Sequence, residues 1–422
     1  MSGPPANKKE SFLRKLGPGL ITGAADDDPS GIATYSQAGA QFGLDMLWTS
    51  LVTFPLMVGI QIVSARIGRV TGEGLAANIR RLYPRWVLLM VVALLVVANT
   101  INIAADIAAM GEALQLVIGG GEHGHAIIFG VVSLLLQVFI PYHRYVRVLK
   151  WLTLSLLAYV AVAFSVHIDW AHAIQQSFAP ALSFNPDFIA VVVAVFGTTI
   201  SPYLFFWQAS QEVEELRGGN GSSLKSTPID ARAHLRRIKI DTYIGMGFSN
   251  LIAFFIILSA AVTLHVSGIT AIQTSAQAAQ ALRPIAGEFS FLLFSLGIIG
   301  TGMLAVPVLA GATAYAVADS FGWRQGLDRK LFEATEFYTI IALATLGGVL
   351  LDFTPIDPIK ALFWSAVING VIAVPIMVVM MLMATRSEVM GPFVIRRRLK
   401  ILGWLATVAM ALAVISMVIT AR

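Results

Sequence analysis

The chain is a succession of apolar blocks, and their length decides what it can fold into. Eleven of them lie near residues 17–40, 45–65, 87–118, 126–142, 150–167, 187–211, 240–265, 288–319, 331–351, 359–384 and 401–421. Most are about 17–30 residues long, enough for a helix to cross a hydrocarbon core of ~30 Å. Backbone in lipid must satisfy its own hydrogen bonds, and segments of this length do so as helices. The expected fold class is therefore an all-α integral membrane protein with about eleven transmembrane helices. Composition agrees, because only 13% of the 422 residues are charged, against about 25% in soluble domains. No block of sequence reads as a separate soluble domain. The polar stretch from Met1 to Lys15 and the three aspartates in the first apolar block do not fit a cleavable signal.

Lys and Arg give the orientation. With the N-terminus in the cytoplasm, 26 of the 29 Lys and Arg fall on the cytoplasmic side, leaving Arg283, Lys360 and Arg422 outside. The positive-inside rule then predicts a multi-pass protein of the plasma (inner) membrane with its C-terminus outside. The net charge of +5 follows from those loops and implies no nucleic-acid partner. The chain has no cysteine, which excludes disulfides and thiolate metal sites. Three regions are expected: a cytoplasmic leader at 1–16, a transport core at 17–384, and a cytoplasmic loop with one extra helix at 385–422. The polar stretch 211–239, with Gly218 to Ser223, reads as a flexible loop. The outer segments 167–187 and 265–287 read as short interfacial helices.

Two spans are interrupted. The first carries Asp28-Pro29-Ser30-Gly31 and the sixth carries Ser201-Pro202-Tyr203. These are the leading members of two five-span blocks, 17–167 and 187–384. Five is odd, so the second block inserts inverted relative to the first. Interrupted spans at matching places in inverted halves point to a binding site near the midplane.

The acids beside the first break give that site its chemistry. One central Asp costs roughly 2.5–3.5 kcal/mol to insert, so Asp26, Asp27 and Asp28 together approach about 10 kcal/mol if ionised and unpaired. An intramembrane acid with no basic neighbour in sequence is an ion or substrate site by default. Asp28 ends the first half of the first span, and Thr198 and Thr199 end the first half of the sixth. The end of a half-helix frees carbonyls and is the negative pole of its dipole. Carboxylate, carbonyl and hydroxyl oxygens together suit a hard divalent ion.

At these residues the chain resembles a known family. Gly17-Pro18-Gly19, Asp28-Pro29 and the run Gln37-Ala38-Gly39-Ala40-Gln41-Phe42-Gly43 are similar to the first helix of the NRAMP divalent-metal transporters. The resemblance continues through Gly302 to Trp323 and through Met390-Gly391, and so spans essentially the whole chain. It implies a LeuT-like fold: a 5+5 inverted repeat with broken helices 1 and 6, plus one extra C-terminal helix. The departures are as informative. The family's Asp-Pro-Gly-Asn reads Asp28-Pro29-Ser30-Gly31 here, so Gly31 stands where the family has an Asn ligand. Its Met-Pro-His reads Ser201-Pro202-Tyr203, replacing the thioether and the His linked to proton coupling. Its Asp-Leu-Ala-Glu reads Asp106-Ile107-Ala108-Ala109, which keeps one relay acid and loses the other. This pattern resembles the NRAMP-related magnesium transporter branch. A roomier site without soft sulfur suits Mg²⁺, which keeps several of its waters.

The expected metal site therefore comprises Asp28, Gly31, Thr198, Ser201, Tyr203 and Asn369. Asp26, Asp27, Asp106, Gln208 and Glu212 are expected in the vestibule or in a relay. Asn369 faces the site or makes an interhelical hydrogen bond. Glu212, Glu214 and Glu215 line the vestibule or pair with loop arginines. His123 and His125 read as solvated loop residues. The expected activity is uptake of Mg²⁺, with Mn²⁺ also carried, by alternating access without obligate proton coupling. No resident cofactor and no obligate protein partner are expected; the partners are the transported ion and the lipid bilayer. The rivals are a proton-coupled Mn²⁺/Fe²⁺ carrier using Asp106, and an amino-acid carrier of the same fold. No His-Glu-x-x-His or Gly-x-Ser-x-Gly supports an enzyme.

Overall fold

A computed structural model describes residues 18–140, 144, 149, 151–218, 222–227, 231–354 and 356–420. The leader at 1–16, Gly17, Arg147 and Lys150, Gly219 to Gly221, and Arg422 lie outside the described residues. Among the described residues every regular element is helical. The first span is a broken pair, α1 (Pro18–Asp26) and α2 (Pro29–Phe42), and α3 (Leu47–Thr71) is the second. A short helix that the apolar pattern did not announce, α4 (Leu75–Leu82), precedes α5 (Arg85–Ile118) and α6 (Glu122–Phe139). The fifth span contains α7 (Leu157–Ser165), and α8 (Trp170–Phe178) follows it. The sixth is again a broken pair, α9 (Pro186–Thr199) and α10 (Pro202–Gly218). Then come α11 (Ala231–Ala260), α12 (Ser290–Phe321), α13 (Thr335–Leu351), α14 (Pro358–Ala384) and α15 (Arg397–Thr420).

Among the described residues, eight helical runs are long and apolar enough to cross a membrane. The remaining three expected spans are accounted for separately. The first shares the run Pro29–Thr71 with the second, and the ninth is the shorter apolar helix Thr335–Leu351. The fifth is Thr153–Ser165, bent by 118° from Trp170–Phe178. Both segments expected to lie outside hold short helices, Trp170–Phe178 in one and Ser275–Ala279 with Arg283–Ala286 in the other.

The sequence sets the helix ends. Pro occupies the first turn of α2, α9 and α14, each behind a side-chain cap from Asp28, Asn185 or Asp357. Proline is suited there because its missing N–H would have no partner in a first turn. Gly72 and Gly322 end α3 and α12 in the left-handed region at φ 72° and 74°, where a Cβ is strained. The stretch expected to be a flexible loop is partly docked. Leu224 and Lys225 donate backbone N–H groups to the Arg69 and Val70 carbonyls, and the Lys225 ammonium donates to the Glu388 carbonyl.

Small residues bring the helices into backbone contact. A Cβ placed on Gly23 of α1 would lie 2.3 Å from the Gly245 backbone of α11, and one on Gly39 of α2 would lie 2.1 Å from the Ile257 carbonyl oxygen. Gly68 meets Ala209 between α3 and α10, and Gly197 meets Ala366 and Gly370 between α9 and α14. In lipid, where tails are as apolar as leucine, such close packing holds helices together. A second group forms around α5, which packs on α6, α12, α13 and α14. Third and eighth spans (α5, α12) pack together, and so do second and seventh (α3, α11). Members at equal positions of the two halves thus meet across the molecule, as the LeuT-like inverted repeat requires.

Candidate functional site

The two helix breaks face each other and are tied by tyrosines. At the first, α1 ends at Asp26 and α2 starts at Pro29, with Asp28 extended at φ −73° and ψ 170°. Asp28 is the N-cap: its Oδ1 accepts the Gly31 N–H at 2.7 Å. At the second, Ile200 and Ser201 separate α9 from α10. The Tyr203 hydroxyl crosses from α10 to donate to the Ala25 carbonyl at 3.0 Å, and lies 3.4 Å from Asp28 Oδ2. In the other direction, the Tyr35 hydroxyl of α2 is hydrogen-bonded to Thr199 Oγ1 at 2.9 Å.

Gly31 sits where these parts converge. A Cβ on it would lie 3.3 Å from Tyr35 Cε2, 3.4 Å from Thr198 Oγ1 and 3.5 Å from the Asp26 carbonyl oxygen. The position is closely packed, and a methyl group there would press on Tyr35 and Thr198. The hydroxyl of Ser201 turns back on its own half-helix, donating toward the Gly197 and Thr198 carbonyls at 2.8 and 2.7 Å. The Thr198 carbonyl that the sequence suggested as a free ligand thus already accepts one hydrogen bond, leaving its second lone pair.

The three acids are buried together, but Asp26 and Asp27 turn toward Ser249 while Asp28 turns toward α2. Asp26, Asp27 and Asp28 are 0%, 3% and 2% exposed. Asp26 Oδ2 and Asp27 Oδ1 share the Ser249 hydroxyl of α11, at 2.5 and 2.9 Å, while Asp26 Oδ1 has no partner. Ser249 carries one proton, so it satisfies one carboxylate at a time. No ion pair among the described residues includes any of the three. Buried carboxylates without a cation are costly, which makes the site receptive to positive charge. Among the described residues no three His, Cys, Asp or Glu side chains converge on a metal-sized space. A cation between the breaks would therefore draw on carbonyl, hydroxyl and water oxygens beside Asp28.

The other expected residues surround this centre. Asp106 of α5 is fully buried, faces the Ser30 backbone N–H, and lies within electrostatic reach of Asp28 and Tyr203. Gln208 lies on α10, where its Oε1 accepts from Thr22 of α1 at 2.5 Å and its Nε2 is buried without a partner. Glu212 is ion-paired to Arg237 at 2.8 Å, and Glu215 joins the same guanidinium at 2.7 Å. Glu214 instead accepts from Tyr315 and from the Leu327 N–H. Asn369 is buried on α14 with Oδ1 unpartnered. The same helix reaches the first break through Ser30, which donates to the Leu362 carbonyl at 2.9 Å. His123 and His125 lie in the first turns of α6 rather than in a loop, and His123 pairs with Asp352 at 2.9 Å.

Several polar residues at the site escaped sequence reasoning. Asn99 and Asn102 lie on α5 within two turns of Asp106. Asn99 donates to the Leu309 carbonyl and Thr313, and both polar ends of the Asn102 amide are buried and unpartnered. Their spacing, 99, 102 and 106, marks one helix face and was a usable signal. Asp241 accepts the Gly19 N–H at 2.6 Å, and Gln61 and Ser64 of α3 donate to the Leu204 and Phe205 carbonyls. These clamps join residues more than a hundred positions apart and leave no local pattern.

The sequence profile described as natural resistance-associated macrophage protein-like (Nramp) matches residues 19–420. A protein of Caldanaerobacter subterraneus subsp. tengcongensis named "Divalent metal cation transporter MntH" is 25% identical over 400 residues, covering 90% of this chain and 86% of its own. One of the same name from Deinococcus radiodurans is 27% identical over 407 residues, covering 94% and 87%. The crystal structure of the Eremococcus coleocola manganese transporter, bound to an aromatic bis-isothiourea compound, aligns with a TM-score of 0.75. That alignment has 15% sequence identity and covers 98% of this chain and 88% of the other.

Proposed function

The chain belongs to the natural resistance-associated macrophage protein-like (Nramp) family of multi-pass membrane transporters, and on that premise we propose that it carries divalent cations into the cell by alternating access. Mg²⁺ is the favoured cargo in this reading, with Mn²⁺ also carried and no obligate proton movement. The N-terminus is cytoplasmic and the C-terminus outside, in the inner membrane. The observation that carries the choice of ion is the chemistry around Gly31, whose nearest neighbours are the Tyr35 ring, the Thr198 hydroxyl and the Asp26 carbonyl, with no sulfur or imidazole among those contacts. Oxygen ligands suit a hard divalent ion. A soft ligand is what separates transition metals from hard ions, and Ser201 supplies none.

A second reading, a proton-coupled Mn²⁺/Fe²⁺ carrier, is favoured by the names of the relatives and by one observation. Asp106 is buried within electrostatic reach of Asp28 and, among the described residues, has no cation in an ion pair with it. One experiment separates the two. In proteoliposomes containing the purified chain, the first reading expects Mg²⁺ uptake, competition between Mg²⁺ and Mn²⁺, and no internal acidification. Mn²⁺ uptake with no Mg²⁺ flux or competition overturns it, and acidification that tracks uptake establishes the second.

A further inference from the structure

At the end of the bundle where most Lys and Arg gather, a cavity of about 1140 Å³ lies between three helices. Its floor is α3, which contributes Ile62 and Arg66. One wall is the start of α11, where Arg232, Leu235, Arg236, Lys239 and Tyr243 recur at helical spacing on a single face. The other wall is the approach to α15, with Phe393 and the run Arg396-Arg397-Arg398. No Asp or Glu lines it, and among the described residues none of its cations takes part in an ion pair.

This is more than loops that follow the positive-inside rule. Loop charges are free to spread in water, whereas here the fold brings them together. Arg66 and Arg396, from helices more than three hundred residues apart in sequence, lie within repulsive reach of each other. Lys239 rests over the Tyr243 ring at 5.6 Å, with no carboxylate in the cavity to meet it. Like charges converging on a concave surface make a site for an anion.

The cavity is also open to an apolar surface. Leu235, Leu399 and Leu402 line it beside the cations. Beyond Tyr243, which meets Phe54 edge to face at 6.2 Å, the surface continues as exposed Ile244, Phe248 and Leu251 of α11 and Leu51 and Val52 of α3. On the other side α15 exposes Ile401, Leu405 and Val408. A charged pocket at the head of apolar furrows fits a molecule with an anionic head and hydrocarbon tails. We propose that the cavity between α3, α11 and α15 binds an anionic phospholipid, its phosphate held by Arg66, Arg236 and the arginines at 396–398. Basic pockets between spans, on the side rich in Lys and Arg, are known to take such headgroups. This site is separate from the helix breaks and does not depend on which ion the protein carries.

The full chain, purified in neutral detergent with phosphatidylcholine, is titrated with dioleoylphosphatidylglycerol and bound lipids are counted by native mass spectrometry. The expected result is one phosphatidylglycerol retained with at least tenfold preference over phosphatidylcholine. The triple variant R396Q/R397Q/R398Q loses that preference, while R80Q/R81Q/R85Q, which removes three cations elsewhere at the same end, keeps it. Equal affinity for the two lipids, or equal loss in both triple variants, overturns the proposal. Because the first triple variant removes charges from a helix start and can fail to fold, hydrogen exchange on the unmodified chain gives an independent reading. Phosphatidylglycerol should protect 231–243 and 392–402 and leave 80–90 unchanged; protection absent from both segments overturns it. Soluble glycerol phosphate is the third arm. Protection by it at the same concentration, without lipid, would assign the cavity to a free phosphate and overturn the assignment to lipid.

Discussion

Asp28 does two things, and substitutions can separate them. Its side chain caps α2, and its charge sits buried between the breaks. Asn caps a helix about as well as Asp, whereas Ala at an N-cap costs ~1 kcal/mol. Asp28→Asn should therefore fold with unchanged thermal stability yet lose at least about tenfold in cation uptake, or ~1.4 kcal/mol. Asp28→Ala should lose both, read by melting in detergent beside uptake in proteoliposomes. Normal uptake by Asp28→Asn would remove the carboxylate from the site. At Gly31 the contacts a methyl group would make, 3.3–3.5 Å, are tight without being prohibitive. Gly31→Ala should fold normally and reduce Mg²⁺ uptake several-fold more than Mn²⁺ uptake, because the ion that keeps more water loses more from a narrower space. An equal effect on both ions would show that room at this position does not select between them.

At the scale of helices, the broken spans were legible in the sequence itself. Proline removes a donor and biases its predecessor away from helix, yet Pro55, Pro307 and Pro375 lie inside continuous helices. The acids beside Pro29 and the matching place of Pro202 in the second half are what mark the two interruptions. The apolar blocks gave most span ends to within a few residues, but α3 and α10 run on to Thr71 and Gly218 rather than ending near 65 and 211, and α11 begins at Ala231 rather than near 240. Its first turns are polar and basic, and hydropathy cannot tell a helix that projects beyond lipid from a loop. What holds the breaks together was not legible. Ser249, Tyr35 and Tyr203 are ordinary residues in their own helices, and only the fold places them opposite Asp26, Thr199 and Ala25. Packing between elements offers its own test. Gly23 and Gly247 lie at two interfaces of α11, with α1 and α3 respectively, but a Cβ at Gly23 meets backbone at 2.3 Å whereas one at Gly247 meets only the Phe54 ring at 3.5 Å. Gly23→Ala should therefore destabilise the protein, by about 1–3 kcal/mol as overpacking usually does, and Gly247→Ala should not. Detergent melting curves of the two variants decide it.

For the whole molecule, orientation is the first thing to establish, and the absence of cysteine from the sequence makes it simple. Ser267 and Ser222 are both exposed, the first after α11 at the end proposed to lie outside and the second in the turn that docks on α3. A membrane-impermeant maleimide should label Ser267→Cys in intact cells and Ser222→Cys only after permeabilisation; the reverse pattern would invert the topology. The contact between α1 and α11 has a mechanical consequence. Asp241 holds the start of α1 by the Gly19 N–H, Gly23 abuts Gly245, and Ser249 holds the acids at its end. Three fastenings along nine residues make α1 and α11 a single seam. For α1 to part from α11 by itself, the Gly19–Asp241 and Ser249 hydrogen bonds would have to break and the Gly23–Gly245 contact would have to open together.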